Sequence, residues 1–91
     1  MPHQIRFSKI AEKQFRTLPV PARLQLKPKI DALATDPRPH GAKPLKGIKN
    51  LFRIRAGDYR IVYQVLDAEL VVLIVKIGDR KMIYRRLMDI P

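Results

Sequence analysis

Residues 51–65, LFRIRAGDYRIVYQV, constrain the fold more than any other stretch of the chain. Two alternating apolar and polar runs flank a Gly-Asp pair, which is typical of a two-residue β-hairpin turn, because glycine adopts the positive φ that such a turn needs. A turn at residues 57–58 pairs Arg55 directly with Arg60. A three-residue turn would mix arginines with apolar residues on one face, so the hydrophobic pattern favours the first register.

This register predicts a hairpin with one apolar face and one basic face. The apolar face consists of Phe52, Ile54, Tyr59, Ile61 and Tyr63. The basic face consists of Arg53, Arg55 and Arg60. Tyr59 and Tyr63 are therefore predicted to lie in the core.

The flanking segments predict an α+β fold with the order β-α-α-β-β-β. Residues 3–8 alternate as a short strand does, and Ser8 is placed to cap the helix that follows. Apolar residues then recur at helical spacing in two segments that Pro19 separates. They are Ala11, Phe15 and Leu18 in the first helix, and Leu26, Ile30 and Leu33 in the second.

The second half of the chain predicts a loop and a small, mainly antiparallel sheet. Residues 36–50 contain three prolines and two glycines, which indicates a loop long enough to be functional. Residues 67–69 form a turn, and residues 70–77 are apolar on both faces, as in a central strand. We expect the helical hairpin to cover the apolar face of the sheet and the arginines to face outward on the other side.

The composition excludes several kinds of site. The 91 residues suffice for one domain, residues 1–91. Without cysteine there is no disulfide, thiolate metal site or cysteine nucleophile. The run at residues 70–75 is a strand's length, and the N-terminus lacks the apolar region of a signal peptide, so we expect a cytoplasmic protein.

The net charge of +11 predicts binding to a polyanion. Two basic groups stand out, one in an acid-free segment from residue 37 to 57 and one towards the C-terminus. The first contains Arg38, Lys43, Lys46, Lys49, Arg53 and Arg55, and the second Lys76, Arg80, Lys81, Arg85 and Arg86. A solvated basic surface is the alternative, but both groups beside the hairpin arginines favour a nucleic-acid surface.

The directly opposed Arg55–Arg60 pair has two interpretations. Like charges across a hairpin destabilise it by up to about 1 kcal/mol, which a surface hairpin can tolerate with help from Asp58. Alternatively the missing partner is an anion, since a guanidinium binds phosphate in a bidentate manner and stays charged. On this second interpretation, removing an arginine relieves repulsion in the free protein and weakens function.

Groups for acid–base or metal chemistry are scarce. His3 and His40 stand alone in the sequence, and neither a carboxylate pair nor a cluster of metal ligands is evident. Any catalysis would depend on charge stabilisation and positioning by Arg, Lys and Tyr. No metal or other cofactor is expected.

Four motifs resemble the RelE branch of the RelE/ParE toxin superfamily, and the resemblance covers nearly the whole chain. They are LKG (45–47), FRIRAGDYRIVYQV (52–65), VLIVKIGDR (72–80) and IYRR (83–86). The resemblance implies the toxin of a type II toxin–antitoxin system, an endoribonuclease that cuts mRNA in the ribosomal A site. It also implies an acidic, RelB-like antitoxin as partner, in a hetero-oligomer, besides the ribosome and its mRNA.

The resemblance also implies roles for individual residues. Arg60 would hold the scissile phosphate, Arg80 would stabilise the transition state, and Tyr84 would stack on a base or orient the 2′-hydroxyl. Arg55 completes the predicted catalytic set. The predicted RNA-binding set is Lys43, Lys46, Lys49, Arg53, Lys81, Arg85 and Arg86.

The chain departs from the superfamily pattern at three positions. Arg53 and Arg55 stand where the best-known members have lysine, and arginine is a poor general base because it does not readily deprotonate. Asp79 stands where many relatives have histidine, and it would orient or partly neutralise Arg80. Tyr84 has an alternative interpretation as a core residue in a last helical turn.

Two other functions compete with the nuclease. A ParE-like toxin would bind DNA gyrase and cut nothing, although such toxins usually lack the full set of Arg60, Arg80 and Tyr84. A basic RNA-binding module without toxicity is the third possibility.

Overall fold

The computed structural model describes residues 2–81 and residue 83. The predicted order of elements is confirmed, with one short strand added. The elements are β1 (Gln4–Phe7), α1 (Lys9–Thr17), α2 (Val20–Ala32), β2 (Lys43–Pro44), β3 (Leu51–Ala56), β4 (Tyr59–Leu66), a 3₁₀ turn (Asp67–Glu69) and β5 (Val71–Asp79). No helix in this part of the chain is long and apolar enough to cross a membrane.

The strands form one five-stranded sheet in the order β1-β5-β4-β3-β2. The three neighbouring pairs from β2 to β5 are antiparallel, and β1 lies parallel to β5. The predicted hairpin register is confirmed, because Arg55 pairs with Arg60 and Ala56 with Tyr59. Gly57 has a φ of 62°, as the first turn residue of a type II′ hairpin requires.

Ser8 joins the first helix to the sheet. Its hydroxyl oxygen accepts a hydrogen bond from the backbone N–H of Ala11 (3.0 Å), which confirms the predicted N-cap. The same hydroxyl donates to the carbonyl of Val75 on β5 (2.8 Å). One side chain thus fixes both the start of α1 and its position against the central part of the sheet.

The sequence predicts a loop over the whole of residues 36–50, but the structure has a short strand within this segment. Lys43 and Pro44 form the edge strand β2 and pair with Arg53 and Phe52 of β3. A strand of two residues is too short to show an alternating pattern in the sequence. Its proline is tolerated because an edge strand has one side without a neighbouring strand, where no backbone donor is needed. The strand brings the basic loop alongside the hairpin arginines.

The main core lies between the helices and one sheet face, as predicted. Its buried members are Ala11, Leu26, Ile30, Leu33, Ile54, Ala56, Ile61, Tyr63, Val65, Val72, Ile74 and Ile77. The opposite face carries a second, smaller apolar cluster of Leu51, Val62, Val75 and Ile83. The sequence predicted a basic face there, so the arginines in fact border an apolar centre.

Polar contacts from three elements hold residues 37 and 38 against the sheet. The hydroxyl of Tyr63, which is fully buried, donates to the carbonyl of Pro37 (2.8 Å). Arg38 forms an ion pair with Asp67 (2.8 Å), and its guanidinium lies 5.5 Å from the centre of the Phe52 ring. The hydrogen bonds from Arg38 and then from His3 lower the pKa of the Asp67 carboxyl.

Replacing Tyr63 by phenylalanine should lower the free energy of unfolding by about 1 kcal/mol, because the carbonyl of Pro37 loses its donor. Burial raises the pKa of Tyr63 from 10.0 to about 12. Because the pKa of Tyr63 is higher in the folded than in the unfolded protein, protonated Tyr63 contributes to the free energy of unfolding. This contribution is complete below pH 10 and is lost between pH 10 and about 12. Urea unfolding on both sides of pH 10 measures the effect, and the variant should lose less stability across this window than the wild type.

Tyr59→Phe is the matched control, since the Tyr59 hydroxyl makes no hydrogen bond within residues 2–81 and 83. Equal losses in the two variants would show that the bond to Pro37 does not stabilise the loop.

Candidate nucleic-acid interface

Like charges face each other at the end of the β3–β4 hairpin. Arg55 and Arg60 are direct cross-strand partners, and no ion pair joins either to Asp58 within the described residues. Arg55 is exposed, and its side chain makes no hydrogen bond within that part of the chain. Relief by Asp58, the first interpretation of the pair, is therefore not what the structure has.

Arg60 differs from the other hairpin arginines because it is buried, with 7% of its surface exposed. Its Nη1 donates to the carbonyls of Gly57 and Tyr59, each at 3.0 Å, so the side chain folds back onto its own turn. Its Nε is buried and has no hydrogen-bond partner among residues 2–81 and 83. The prediction that all three arginines face outward is therefore wrong for Arg60, which carries a buried charge and an unused donor.

An unused buried donor needs an explanation, because leaving such a group unpaired costs stability. Arg23 also has an unpartnered buried Nε, but the Arg23 residue is half-buried rather than buried, so part of the side chain reaches solvent. At Arg60 both the charge and the donor are enclosed. An anion at this position would complete the site by accepting from the guanidinium.

Backbone contacts place Arg80 beside the hairpin turn. Its N–H donates to the carbonyl of Asp58 (3.0 Å), and Asp79 pairs with Tyr59 across β4 and β5. The Arg80 side chain is exposed and makes no ion pair within the described residues. The carboxylate of Asp79 accepts from the backbone N–H of Lys81 (2.9 Å), so it shapes the chain that follows β5. Three of the four predicted catalytic residues thus lie at one end of the sheet.

The predicted RNA-binding residues do not form one cluster. Lys43 lies directly opposite Arg53 across β2 and β3. Lys81 instead follows β5, which lies on the other side of the β3–β4 hairpin from β2. Lys46 and Lys49 lie in the exposed connection between β2 and β3. That connection enters β3 at its far end, about 17 Å from the hairpin turn at 3.4 Å per residue.

The remaining predicted residues, Tyr84, Arg85 and Arg86, lie outside the described residues. Ile83 is fully buried, and an added Cβ at Gly78 would lie 3.6 Å from its side chain. Gly78 is the cross-strand partner of Arg60 on β5. Ile83 therefore packs over the sheet beside the buried arginine.

The described residues offer no histidine as a general base at the hairpin end, where the carboxylates are those of Asp58 in the turn and Asp79 at the end of β5. His3 is engaged with Asp67 (3.2 Å) at a different edge of the sheet, and His40 lies in an exposed turn of the loop. Within residues 2–81 and 83, no three His, Cys, Asp or Glu residues are grouped so that they could hold a metal ion. The chemistry available is charge stabilisation and positioning by guanidinium groups.

A family model described as the ParE toxin of type II toxin–antitoxin systems matches residues 5–84. The chain belongs to the RelE/ParE toxin superfamily. It is similar to the mRNA interferase toxin RelE of Escherichia coli K12, with 35% identity over 83 residues that span 89% of this chain and 86% of that protein. The resemblance seen in the sequence is confirmed.

Solved structures of superfamily members share the fold. The isolated E. coli RelE toxin matches with a TM-score of 0.77 at 31% identity over 96% of both chains. A chain of the intact E. coli RelBE toxin–antitoxin complex matches with a TM-score of 0.75 at 34% identity, covering 85% of this chain and 95% of that one.

Sequence reasoning missed two features of this region. Arg38 was counted with the basic surface, but its ion pair with Asp67 makes it an anchor for the loop. Asp36 was not considered, yet it lines a cavity beside Arg55. No local pattern marks either residue, because both contacts depend on segments far apart in the chain.

Two arginine substitutions separate repulsion from hydrogen bonding in the pair. Arg55→Ala should leave the free energy of unfolding unchanged or raise it by up to about 1 kcal/mol, because it only removes repulsion. Arg60→Ala removes the same repulsion but also the two bonds to the turn carbonyls, so it should lower stability by about 1–2 kcal/mol. This reverses the expectation from the sequence for Arg60. Urea unfolding of both variants is the measurement, and equal effects would mean that the turn bonds contribute nothing.

Proposed function

We propose that the chain is a ribosome-dependent endoribonuclease toxin that cleaves mRNA in the ribosomal A site without a metal ion and acts in the cytoplasm. The observation that carries the proposal is the placement of Arg55, Arg60 and Arg80 at one end of the sheet in a member of this superfamily. The relative at 35% identity is named an mRNA interferase, which supports the same activity.

In the proposed reaction the 2′-oxygen of the mRNA attacks the adjacent phosphorus, and the 5′-oxygen leaves. The products are a 2′,3′-cyclic phosphate and a 5′-hydroxyl, so the proton lost from the 2′-hydroxyl is balanced by the proton gained at the 5′-oxygen. Arg60 would hold the phosphate, Arg80 would stabilise the charge on the phosphoryl oxygens and the leaving group, and Arg55 would add to the positive field. Tyr84 would orient the 2′-hydroxyl or stack on a base.

The proposed dependence on the ribosome rests on the lack of a histidine at the hairpin end of the described residues and on arginine, rather than lysine, at position 55. Arginine stays protonated, so neither Arg55 nor Arg60 removes the 2′-proton readily. The rate must then come from alignment of the 2′-oxygen with the phosphorus, a contribution that can be large when the reacting groups are held in line. The ribosome would supply this alignment by bending the mRNA in the A site.

Access to Arg60 requires movement in the proposed mechanism. Arg60 is 7% exposed, and Ile83 packs over its cross-strand partner Gly78. A phosphate would reach the guanidinium once the chain around Ile83 moves aside. The RNA-binding residues Lys43, Lys46, Lys49, Arg53, Lys81, Arg85 and Arg86 would hold the backbone on either side.

We also propose an acidic, RelB-like antitoxin as the cellular partner. A chain of the RelBE toxin–antitoxin complex shares the fold, and the net charge of +11 favours an acidic protein. Ile10, Val20 and Leu24 on the helical hairpin are more than half exposed and are available for apolar contacts with such a partner. Co-purification with the product of a neighbouring acidic reading frame tests this; a chain recovered alone and harmless to cells contradicts it.

Binding to DNA gyrase without cleavage is the second candidate, because the matching family model is described as a ParE toxin. A supercoiling assay with purified gyrase separates the two functions. Inhibition of gyrase together with intact mRNA would replace the nuclease proposal.

Single-turnover cleavage of one mRNA, with and without programmed ribosomes, tests the proposal. The wild type should cut only the ribosome-bound mRNA at an appreciable rate. Arg80→Ala should reduce this rate by about a hundredfold or more, as expected for loss of a preorganised charge at the transition state. Arg16→Ala, an exposed position on α1, removes the same charge and should have little effect. Equal rates on free and bound mRNA would contradict the proposal.

A further inference from the structure

A cavity of about 260 Å³ lies where the end of α2 and the loop meet the open edge of β3. It is lined by Lys29, Ala32, Leu33, Asp36, Pro39, Gly41, Ile54 and Arg55. A second cavity of about 280 Å³ adjoins it and is lined by Gly41, Lys43, Arg53 and Arg55. Because Gly41 and Arg55 line both, a ligand with an apolar part and an anionic part can occupy the two cavities together.

The walls of the first cavity are held in place before any ligand binds. The N–H of Asp36 donates to the carbonyl of Ala32 (3.0 Å), which continues the end of α2 into the loop. The buried Tyr63 hydroxyl holds the carbonyl of Pro37, and the N–H of Ala42 donates to the carbonyl of Pro39 (2.9 Å). Preformed cavities with a few fixed polar groups are typical of binding sites.

Asp36 is the one acidic group that lines either cavity. Asp31 and Asp67 each pair with a basic side chain, whereas the Asp36 carboxylate makes no hydrogen bond or ion pair within the part of the chain that the structure describes. A carboxylate beside Lys29 and Arg55 would weaken a site meant only for phosphate. The Asp36 residue is exposed, so its carboxylate can accept hydrogen bonds from a ligand that enters the cavity.

We propose that these cavities form a nucleotide subsite, in which the basic cavity holds a phosphate of single-stranded RNA and the cavity at Asp36 holds one unstacked base, with cytosine preferred over uracil. The inference rests on the proposed function in taking single-stranded RNA as the ligand. It assigns recognition of a base to residues outside the hairpin end, where the cleavage is proposed, except for Arg55, which would belong to both sites.

The size and chemistry of the cavity fit a single base. At about 260 Å³ it is smaller than the roughly 300–1,000 Å³ of sites that take drug-sized ligands. The apolar side chains of Leu33, Pro39 and Ile54 offer surfaces to a flat ring. Lys29 and Arg55 can donate to ring-nitrogen or carbonyl acceptors, and every base has at least one of these two kinds.

The preference for cytosine follows from the carboxylate. Asp36 only accepts hydrogen bonds, and the exocyclic amine of cytosine donates at the accessible edge of the ring. Uracil has a single ring N–H donor on this edge, flanked by two carbonyl oxygens that would lie against the carboxylate. Stacking differs little between the two pyrimidines, so the difference in affinity reports the polar contact.

Equilibrium binding of two fluorescent RNA hexamers, one of cytidines and one of uridines, tests the proposal. Both carry 2′-O-methyl groups, so they cannot be cleaved, and both are measured at the same salt concentration because phosphate contacts depend on it. The wild type should bind the cytidine hexamer about tenfold more tightly. Asp36→Asn should reduce this ratio to about twofold or less, since an amide both donates and accepts.

Asp31→Asn is the matched control. It removes one negative charge, as Asp36→Asn does, but Asp31 lies on α2, lines neither cavity and pairs with Lys27. Asp31→Asn should bind each hexamer somewhat more tightly because of the added net charge and leave the ratio unchanged. Asp36→Asn should lower the ratio, because it loses the contact with cytosine while the added net charge acts on both hexamers.

Three outcomes would overturn the proposal. They are equal binding of the two hexamers by the wild type, a ratio that Asp36→Asn leaves unchanged, and no binding of either hexamer. If Asp36→Asn alters affinity for the antitoxin and leaves the ratio unchanged, the cavity receives a protein side chain instead. Cleavage on ribosomes is measured separately: cleavage without base discrimination refutes only the subsite, and discrimination without cleavage refutes only the proposed nuclease.

Discussion

The direct opposition of Arg55 and Arg60 across the hairpin is the interaction on which the proposed site depends. The pair follows from the turn at Gly57, which fixes the register, and a slip by one residue would move Ile54 and the other core residues of both strands out of the core. The fold thus cannot relieve the repulsion by shifting the strands. It buries Arg60 against its own turn instead, and leaves its Nε without an acceptor.

The hairpin end of the basic face and its edge at β2 are built differently. Near the hairpin turn, a backbone bond brings Arg80 beside the pair, while Ile83 packs over Gly78, the cross-strand partner of Arg60. On the other side, Tyr63 and the Arg38–Asp67 ion pair fix the loop that carries Lys43 to the edge of β3. In the proposed function, the hairpin end is thereby suited to charge stabilisation, and the edge at β2 to holding the nucleotide chain in register.

The sequence predicts the hairpin, the Ser8 cap and the buried helix faces because each depends on neighbouring residues and a regular period. It does not predict the burial of Arg60, since alternation assigns a face but not the fold of a long side chain back onto the turn. The cavity at Asp36 depends on Tyr63 reaching Pro37 across 26 positions, which no local pattern encodes. The function of Tyr84 comes from the superfamily resemblance and that of Arg85 and Arg86 from the basic group towards the C-terminus, and all three stay predictions.

The central claim is that a phosphate completes the site at Arg60, and the most direct measurement is the NMR signal of its side-chain Nε–H. Spectra of the protein with and without an uncleavable 2′-O-methyl RNA should show a shift of this signal and slower exchange with water, because the unused donor gains an acceptor. The Nε–H signal of Arg16 on α1 should stay unchanged. Shifts at exposed Arg55 with none at Arg60, under saturating RNA, would contradict the account.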